Sequence, residues 1–313
     1  MPATQLKIIF WGTPQAAVPF LEHLLKDRNV LAVVTQPDKP ANRGQALQKS
    51  PVKILAEKHG IPVIQPPTLK DPAFAAQIAQ LKPDLGIVVA YGRILPKEVI
   101  SAFPRGIYNI HFSLLPDLRG AAPIQWAILR GLRKTGVCSF KIAETLDSGE
   151  IMSVREIQIS PEDNSVTLER KLIPPGIETL AETLMMVEKG TSSGKPQEGT
   201  PSAAPLIKKE DARISWQAPA DEIDRKIRAL IRLGAFCRTP VGKTLKLLEA
   251  KPLKDSGNQS PGTVASIDGK LGFVVKCGSG SLLIRRVRPE GKNEMDAWSF
   301  LQGHRLKVGD KFE

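Results

Sequence analysis

Along the first half of the chain, short apolar runs alternate with stretches whose apolar positions recur every three or four residues. The runs fall at residues 7–11, 30–35, 62–64, 85–90, 107–111 and 136–142. Their near-continuous hydrophobicity is what strands buried on both faces require. Residues 16–26, 51–59, 72–80 and 122–130 carry helical spacing, and Pro51, Pro72 and Pro123 stand at early helical positions, where the missing N–H has no helical partner to lose. This alternation predicts an α/β fold, a Rossmann-like parallel sheet with helices on both faces.

The pattern breaks at residues 190–204, which are rich in Gly, Ser, Thr and Pro and have no apolar period. Such a stretch reads as a linker. The division it predicts is a first domain at 1–189, a linker at 190–206 and a second domain at 207–313. Past the linker, residues 221–230 look helical, and β-like runs follow at 243–250, 262–267, 271–276 and 281–287, with Asp268-Gly269 as a turn signal. A small C-terminal β-barrel is expected, OB-like being one among several small β folds.

Composition narrows the setting. With 313 residues the chain can bury one full core and a smaller one. No apolar run approaches the roughly 20 residues of a membrane-spanning helix. The first strand begins too early to leave room for a secretory leader. Cys138, Cys237 and Cys277 are odd in number and far apart, suggesting neither a disulfide framework nor a zinc site. The expectation is a cytoplasmic protein, monomeric and without a membrane partner. The net charge is +12, and residues 205–313 hold +8 of it, 21 Lys and Arg against 13 Asp and Glu. Such a field draws polyanions, nucleic acid being the commonest, although a basic surface that only aids solubility accounts for the charge equally well.

Candidate chemistry concentrates at strand ends. Gly12-Thr13-Pro14 follows the first run but lacks the further glycines of a dinucleotide fingerprint, so a nicotinamide site is disfavoured. In Asn109-Ile110-His111-Phe112-Ser113-Leu114-Leu115-Pro116, residues 109 and 111 are two apart at the end of a strand and so share a face. An amide and an imidazole on one face suit acyl transfer, the amide donating to a developing oxyanion and the imidazole moving a proton. A histidine there is as readily structural. Leu146-Asp147-Ser148-Gly149 follows the next run and could bring a carboxylate to His111 at a C-terminal sheet edge, raising its pKa; read alone it is an ordinary turn.

Asn-x-His followed by Ser-Leu-Leu-Pro, with Leu-Asp-Ser-Gly some way downstream, resembles the active-site signature of the 10-formyltetrahydrofolate-dependent formyltransferases. Three further features resemble the members of that family that act on methionyl initiator tRNA. They are the basic stretch from Thr35 through Gln36-Pro37-Asp38-Lys39 and Arg43-Gly44 to Ser50-Pro51-Val52-Lys53, the segment Arg119-Gly120-Ala121-Ala122-Pro123, and a C-terminal domain of matching length that closes on Leu301-Gln302-Gly303-His304-Arg305-Leu306.

The resemblance implies Asn109, His111 and Asp147 as catalytic residues. It implies Ser113, Leu114, Leu115 and Pro116, with Arg93, Ile94 and Leu95, as contacts to the folate, and Lys39, Arg43 and Lys49 as contacts to tRNA. The formyl donor would be 10-formyltetrahydrofolate, the partner methionyl initiator tRNA, and no metal would be needed. Two segments depart from the family's pattern. Residues 231–236 lack its Asn-Pro turn, and Pro174-Pro175 predicts that the helix before the linker starts at or after Pro175.

Overall fold

The computed structural model describes residues 5–41, 46–191, 193–254 and 257–313, and its contacts divide the chain into two compact units. The first comprises Met1–Pro123, Lys134–Gln158 and Glu169–Pro205, and the second Ile124–Arg133, Ile159–Leu168 and Leu206–Glu313.

The strands of the first unit are β1 (Lys7–Gly12), β2 (Asn29–Val34), β3 (Lys39–Ala41), β4 (Ala46–Gln48), β5 (Val63–Ile64), β6 (Leu85–Val89), β7 (Ile107–His111), β8 (Lys134–Lys141) and β9 (Ile151–Gln158). All but β3 and β4 form one seven-stranded sheet in the order β5-β2-β1-β6-β7-β8-β9. From β5 to β7 every neighbouring pair is parallel, as the alternating pattern predicts. Helices in this half of the chain are α1 (Val18–Leu25), α2 (Pro51–Lys58), α3 (Pro72–Gln80), α4 (Lys97–Ile100) and α5 (Pro123–Leu129). Ser50 caps α2 by accepting from Lys53 N, and Asp71 caps α3 by accepting from Ala73 N, each just ahead of a proline. Strand periodicity sorts the core. Ile9 and Trp11 of β1 pack with Phe74 and Ile78 of α3 and Val99 of α4, whereas Phe20 of α1 packs edge-on to Phe112.

Three expectations fail here, each for a physical reason. The run at 136–142 belongs to β8, which is antiparallel to β7 and pairs with a further antiparallel strand, β9. The apolar pattern of β9 is interrupted by Arg155 and Glu156, as befits a strand at the sheet's edge. Next, α6 runs unbroken from Ser165 to Glu188 through Pro174 and Pro175. Leu168, Leu172, Thr179, Leu180, Thr183, Leu184 and Val187 are all buried at helical spacing on both sides of the proline pair, and that burial outweighs the lost hydrogen bonds, worth about 3 kcal/mol at an interior proline. Gly176 fits this packing, since a Cβ there would lie 2.7 Å from Phe20 Cζ. Finally, the basic stretch between Gln36 and Ser50, in which no strand is predicted, contains the small antiparallel ribbon β3–β4, each strand too short for a visible period.

The second unit holds β10 (Ala235–Arg238), β11 (Thr244–Leu253), β12 (Val264–Asp268), β13 (Gly272–Lys276), β14 (Ser281–Pro289) and β15 (Met295–Asp296) with helices α7 (Ala220–Ala229) and α8 (Ala297–His304). Its antiparallel sheet has the order β10-β11-β14-β13-β12, and β15 adds to β14. Leu245, Leu247, Phe273, Ile284 and Val287 of the strands bury a core with Ile223 and Ile227 of α7 and Phe300 of α8. This is the small β-rich module that the turn spacing predicts. No described helix is long and apolar enough to cross a membrane.

Candidate active site

From β1 the chain builds outward through β2 to β5, then crosses back to build β6 and β7 on the other side. The reversal opens a crevice at the carboxyl ends of β1 and β6, the usual ligand position in an open α/β sheet. A cavity of about 540 Å³ lies there, within the range of small-molecule sites. Pro14 after β1, Ala90 after β6 and His111 at the end of β7 all line it.

Asn109 and His111 both line the cavity, as their two-residue spacing predicts. Their strand is held on both sides, Asn109 standing opposite Val88 of β6 and Phe140 of β8, and His111 opposite Cys138. Asp147 reaches the same cavity by a route other than the expected one. Since β8 is antiparallel, its last residue, Lys141, pairs with Tyr108 near the start of β7, away from His111. The loop that follows folds back, and its residues 142–147 line the cavity. Asp147 takes a left-handed backbone (φ 48°), a conformation Asp tolerates better than most residues. Its Oδ2 accepts a hydrogen bond from Gly120 N at 2.8 Å and stands 4.0 Å from His111 Nδ1.

The imidazole is buried, its side chain 6% exposed. Nε2 is 3.0 Å from the Leu118 carbonyl oxygen. A carbonyl only accepts, so Nε2 carries the proton and the neutral ring turns the Nδ1 lone pair toward Asp147. Burial pushes His111 below the ordinary histidine range, against the opposing pull of the Asp147 carboxylate and the Leu118 carbonyl. The carboxylate thus acts in the expected direction, but desolvation outweighs it and the net shift is downward.

Arg93, Ile94 and Leu95 line the cavity too. The Arg93 guanidinium donates to the Pro66 and Pro67 carbonyls at 3.0 and 3.1 Å, fixing this wall to the chain after β5. Ile94 is 72% and Leu146 52% exposed, large apolar side chains open to solvent at the cavity. Ser113, Leu114, Leu115 and Pro116 lie outside the lining. Ser113 Oγ donates to Asp117 O, and Leu115 packs with Cys138 and Phe140 behind the wall. The Cys138 thiol, pushed up to about 12 by burial, stays protonated and donates to Ser113 O while accepting from Leu115 N. Among the described residues no group of three His, Cys, Asp or Glu side chains could hold a metal ion.

Of the candidate tRNA contacts, Lys39 is exposed on β3, and Lys49 is exposed and paired with Glu57 at 2.7 Å. Arg43 lies outside the described residues. The base of the loop is tied by Lys53, which donates to Asp38 and Gln65 and with Gln65 holds the Asp38 carboxyl below its usual range. Sequence reasoning missed the Leu118 carbonyl and the Gly120 N–H, main-chain groups that orient the imidazole and the carboxylate. Only the presence of Gly120 hinted at them. With φ 125°, and with Ala204 O 2.6 Å from where a Cβ would stand, that position requires glycine.

Residues 6–184 match the formyl transferase family, and residues 206–305 match the formyl transferase C-terminal domain. The chain belongs to the formyl transferase family. Its relatives include methionyl-tRNA formyltransferases from Geobacter metallireducens, 42% identical over 97% of each chain, and from Symbiobacterium thermophilum, 44% identical over 98% of this chain and 95% of the relative. Among solved structures, HypX from Aquifex aeolicus in complex with tetrahydrofolic acid has a TM-score of 0.64 at 19% identity. That match covers 98% of this formyl transferase and 51% of HypX, so this chain spans about half of HypX. An N-formyltransferase from Helicobacter canadensis, in complex with folinic acid and dTDP-3-aminofucose, has a TM-score of 0.66 at 20% identity, covering 89% of this chain and 98% of its own. Likeness at that identity shows the shared fold.

Proposed function

We propose that this formyl transferase moves the formyl group of 10-formyltetrahydrofolate to the free α-amine of methionyl initiator tRNA, as a monomeric, cytoplasmic enzyme of translation initiation. The observation that carries the reading is the meeting of an amide, an imidazole and a carboxylate at one cavity on the sheet's switch point, in a chain 42% identical to a methionyl-tRNA formyltransferase over nearly its full length.

The cavity fits a flat heterocycle. Exposed Ile94 and Leu146 offer it apolar cover, and Val88, Phe140 and Ile142 line the same space. Leu115 packs with Cys138 and Phe140 behind this wall, and Arg93 holds it through Pro66 and Pro67. When bound, 10-formyltetrahydrofolate supplies an electrophilic formyl carbon and a nitrogen able to leave, so the protein's task is to place charge and move one proton.

Asn109 donates from its side-chain amide to the formyl oxygen as negative charge grows there, a contribution whose loss costs about 10²–10³ in rate at comparable sites. His111, neutral with Nδ1 free, takes the proton that the attacking amine sheds. The cation so formed is stabilised by Asp147 and gives the proton to the departing nitrogen. The new carbon–nitrogen bond replaces the old one, and no net proton is gained or lost. Lys39, Arg43 and Lys49 would meet tRNA phosphates, Lys49 exchanging Glu57 for a phosphate.

The test is incubation with formyl-labelled 10-formyltetrahydrofolate and either methionyl initiator tRNA or a small amine such as an aminosugar nucleotide. The reading expects label on the methionyl ester, and label on the small amine alone would refute it.

A further inference from the structure

Residues 195–204, within the stretch read as a linker, run back across the first unit and bond to the frame of the cavity. Arg119 N donates to Ser202 O at 2.8 Å, Ala204 N to Arg119 O at 2.6 Å, and Ala122 N to Ala204 O at 3.1 Å. Ser202 Oγ accepts from Leu118 N at 3.0 Å. Leu118 and Gly120, which orient His111 and Asp147, therefore sit in a segment pinned by this strap.

One side chain of the strap goes further. Gln197 Nε2 donates to Asp147 O at 2.8 Å and to Gly149 O at 2.9 Å, so both of its N–H groups grip the turn that carries the carboxylate. Its Oε1 accepts from Arg119 Nε at 3.2 Å and from Arg119 Nη2 at 2.6 Å. One amide thus joins the Asp147 turn to the residue adjoining Gly120, whose N–H holds the Asp147 carboxylate. The turn needs such a grip, because Asp147 has positive φ, its neighbours 143–146 are exposed, and the loop rises off the end of an antiparallel strand.

We propose that Gln197 is a positioning residue for formyl transfer, clamping the Asp147 turn to Arg119 so that the carboxylate stays against His111. A side chain far along the chain, itself in no helix or strand, would then set the geometry of the acid–base pair. This rests on the functional reading above, so wild-type formyl transfer to methionyl initiator tRNA is measured first; its absence would sink that reading, whereas the comparisons below judge Gln197 alone.

The experiment is a cycle of Gln197→Ala and Asp147→Asn, scored by kcat, KM and the pH profile of kcat at saturating substrate. In the wild-type background Gln197→Ala lowers kcat about 10- to 100-fold, the cost of a misplaced catalytic group, while KM for both substrates stays within about threefold. Its acidic limb moves to lower pH, because a carboxylate withdrawn from His111 no longer favours the cation. In the Asp147→Asn background the same substitution costs less than about twofold, since nothing remains to position. Gln197→Glu serves if the alanine variant folds poorly. It keeps an acceptor for Arg119, loses both donors, and should reproduce the loss. An equal penalty in both backgrounds, or none in the wild type, overturns the proposal.

Discussion

Two groups of polar residues stand in opposite settings in this protein. Asn109, His111 and Asp147 share a cavity in which imidazole and carboxylate are nearly buried and each bond comes from a fixed main-chain group. Lys39 and Lys49 stand in water, Lys49 with a competing carboxylate beside it. Charges in the first setting are poorly screened and each contact carries weight, whereas in the second, salt screens each charge and the sum matters more than any member. A preorganised cavity suits chemistry, and an exposed basic loop suits a polyanion.

The sharpest attempt to break the comparison is Asp147→Asn. It keeps the shape and removes the charge, and kcat should fall by about 10³ or more with the melting temperature little changed. Read at saturating substrate, so that ionisation of the free amine does not enter, the wild-type kcat should hold as the pH drops through the usual histidine value of about 6.5, because His111 protonates below it, and the residual kcat of Asp147→Asn should persist to still lower pH. Asn109→Ala should lower kcat by about 10²–10³, with KM for the formyl donor nearly unchanged. Gly120→Ala touches no reacting group, yet its Cβ would strike Ala204 O and shift the N–H that holds Asp147, so about a tenfold or greater fall in kcat is expected. On the exposed side, Lys49→Ala should weaken tRNA binding only a few-fold and reduce the slope of log affinity against log salt by about 1. Glu57→Gln, which frees Lys49, should tighten binding slightly. A change of a hundredfold from Lys49 alone, or a strong salt dependence of kcat, would erase the distinction.

How far the sequence anticipates this depends on which atoms do the work. Asn109 and His111 are legible because strand periodicity alone puts them on one face, and the switch point then follows from strand order. Asp147 reaches the cavity by a route the sequence does not show, since β8 points the wrong way and only the fold-back of 142–147 brings the carboxylate to His111. The orienting groups at Leu118 and Gly120 belong to the main chain, which any residue carries, so side-chain identity announces little. Gln197 lies in a Gly-, Ser- and Pro-rich stretch where no period marks one residue above another. The prolines of α6 mislead because the local rule takes no account of the buried leucines on either side, and β9 is hard to see because an edge strand has no reason to be uniformly apolar.

At the centre of the account is a neutral imidazole at position 111, protonated on Nε2 and offering Nδ1 beside Asp147. Nitrogen NMR of the protein with labelled histidine reads this directly, with the His111 signals assigned by their loss in His111→Gln. At pH 7 the account predicts one protonated and one unprotonated ring nitrogen, the protonated one being Nε2. An imidazolium at that pH, or a proton on Nδ1 instead, would contradict it.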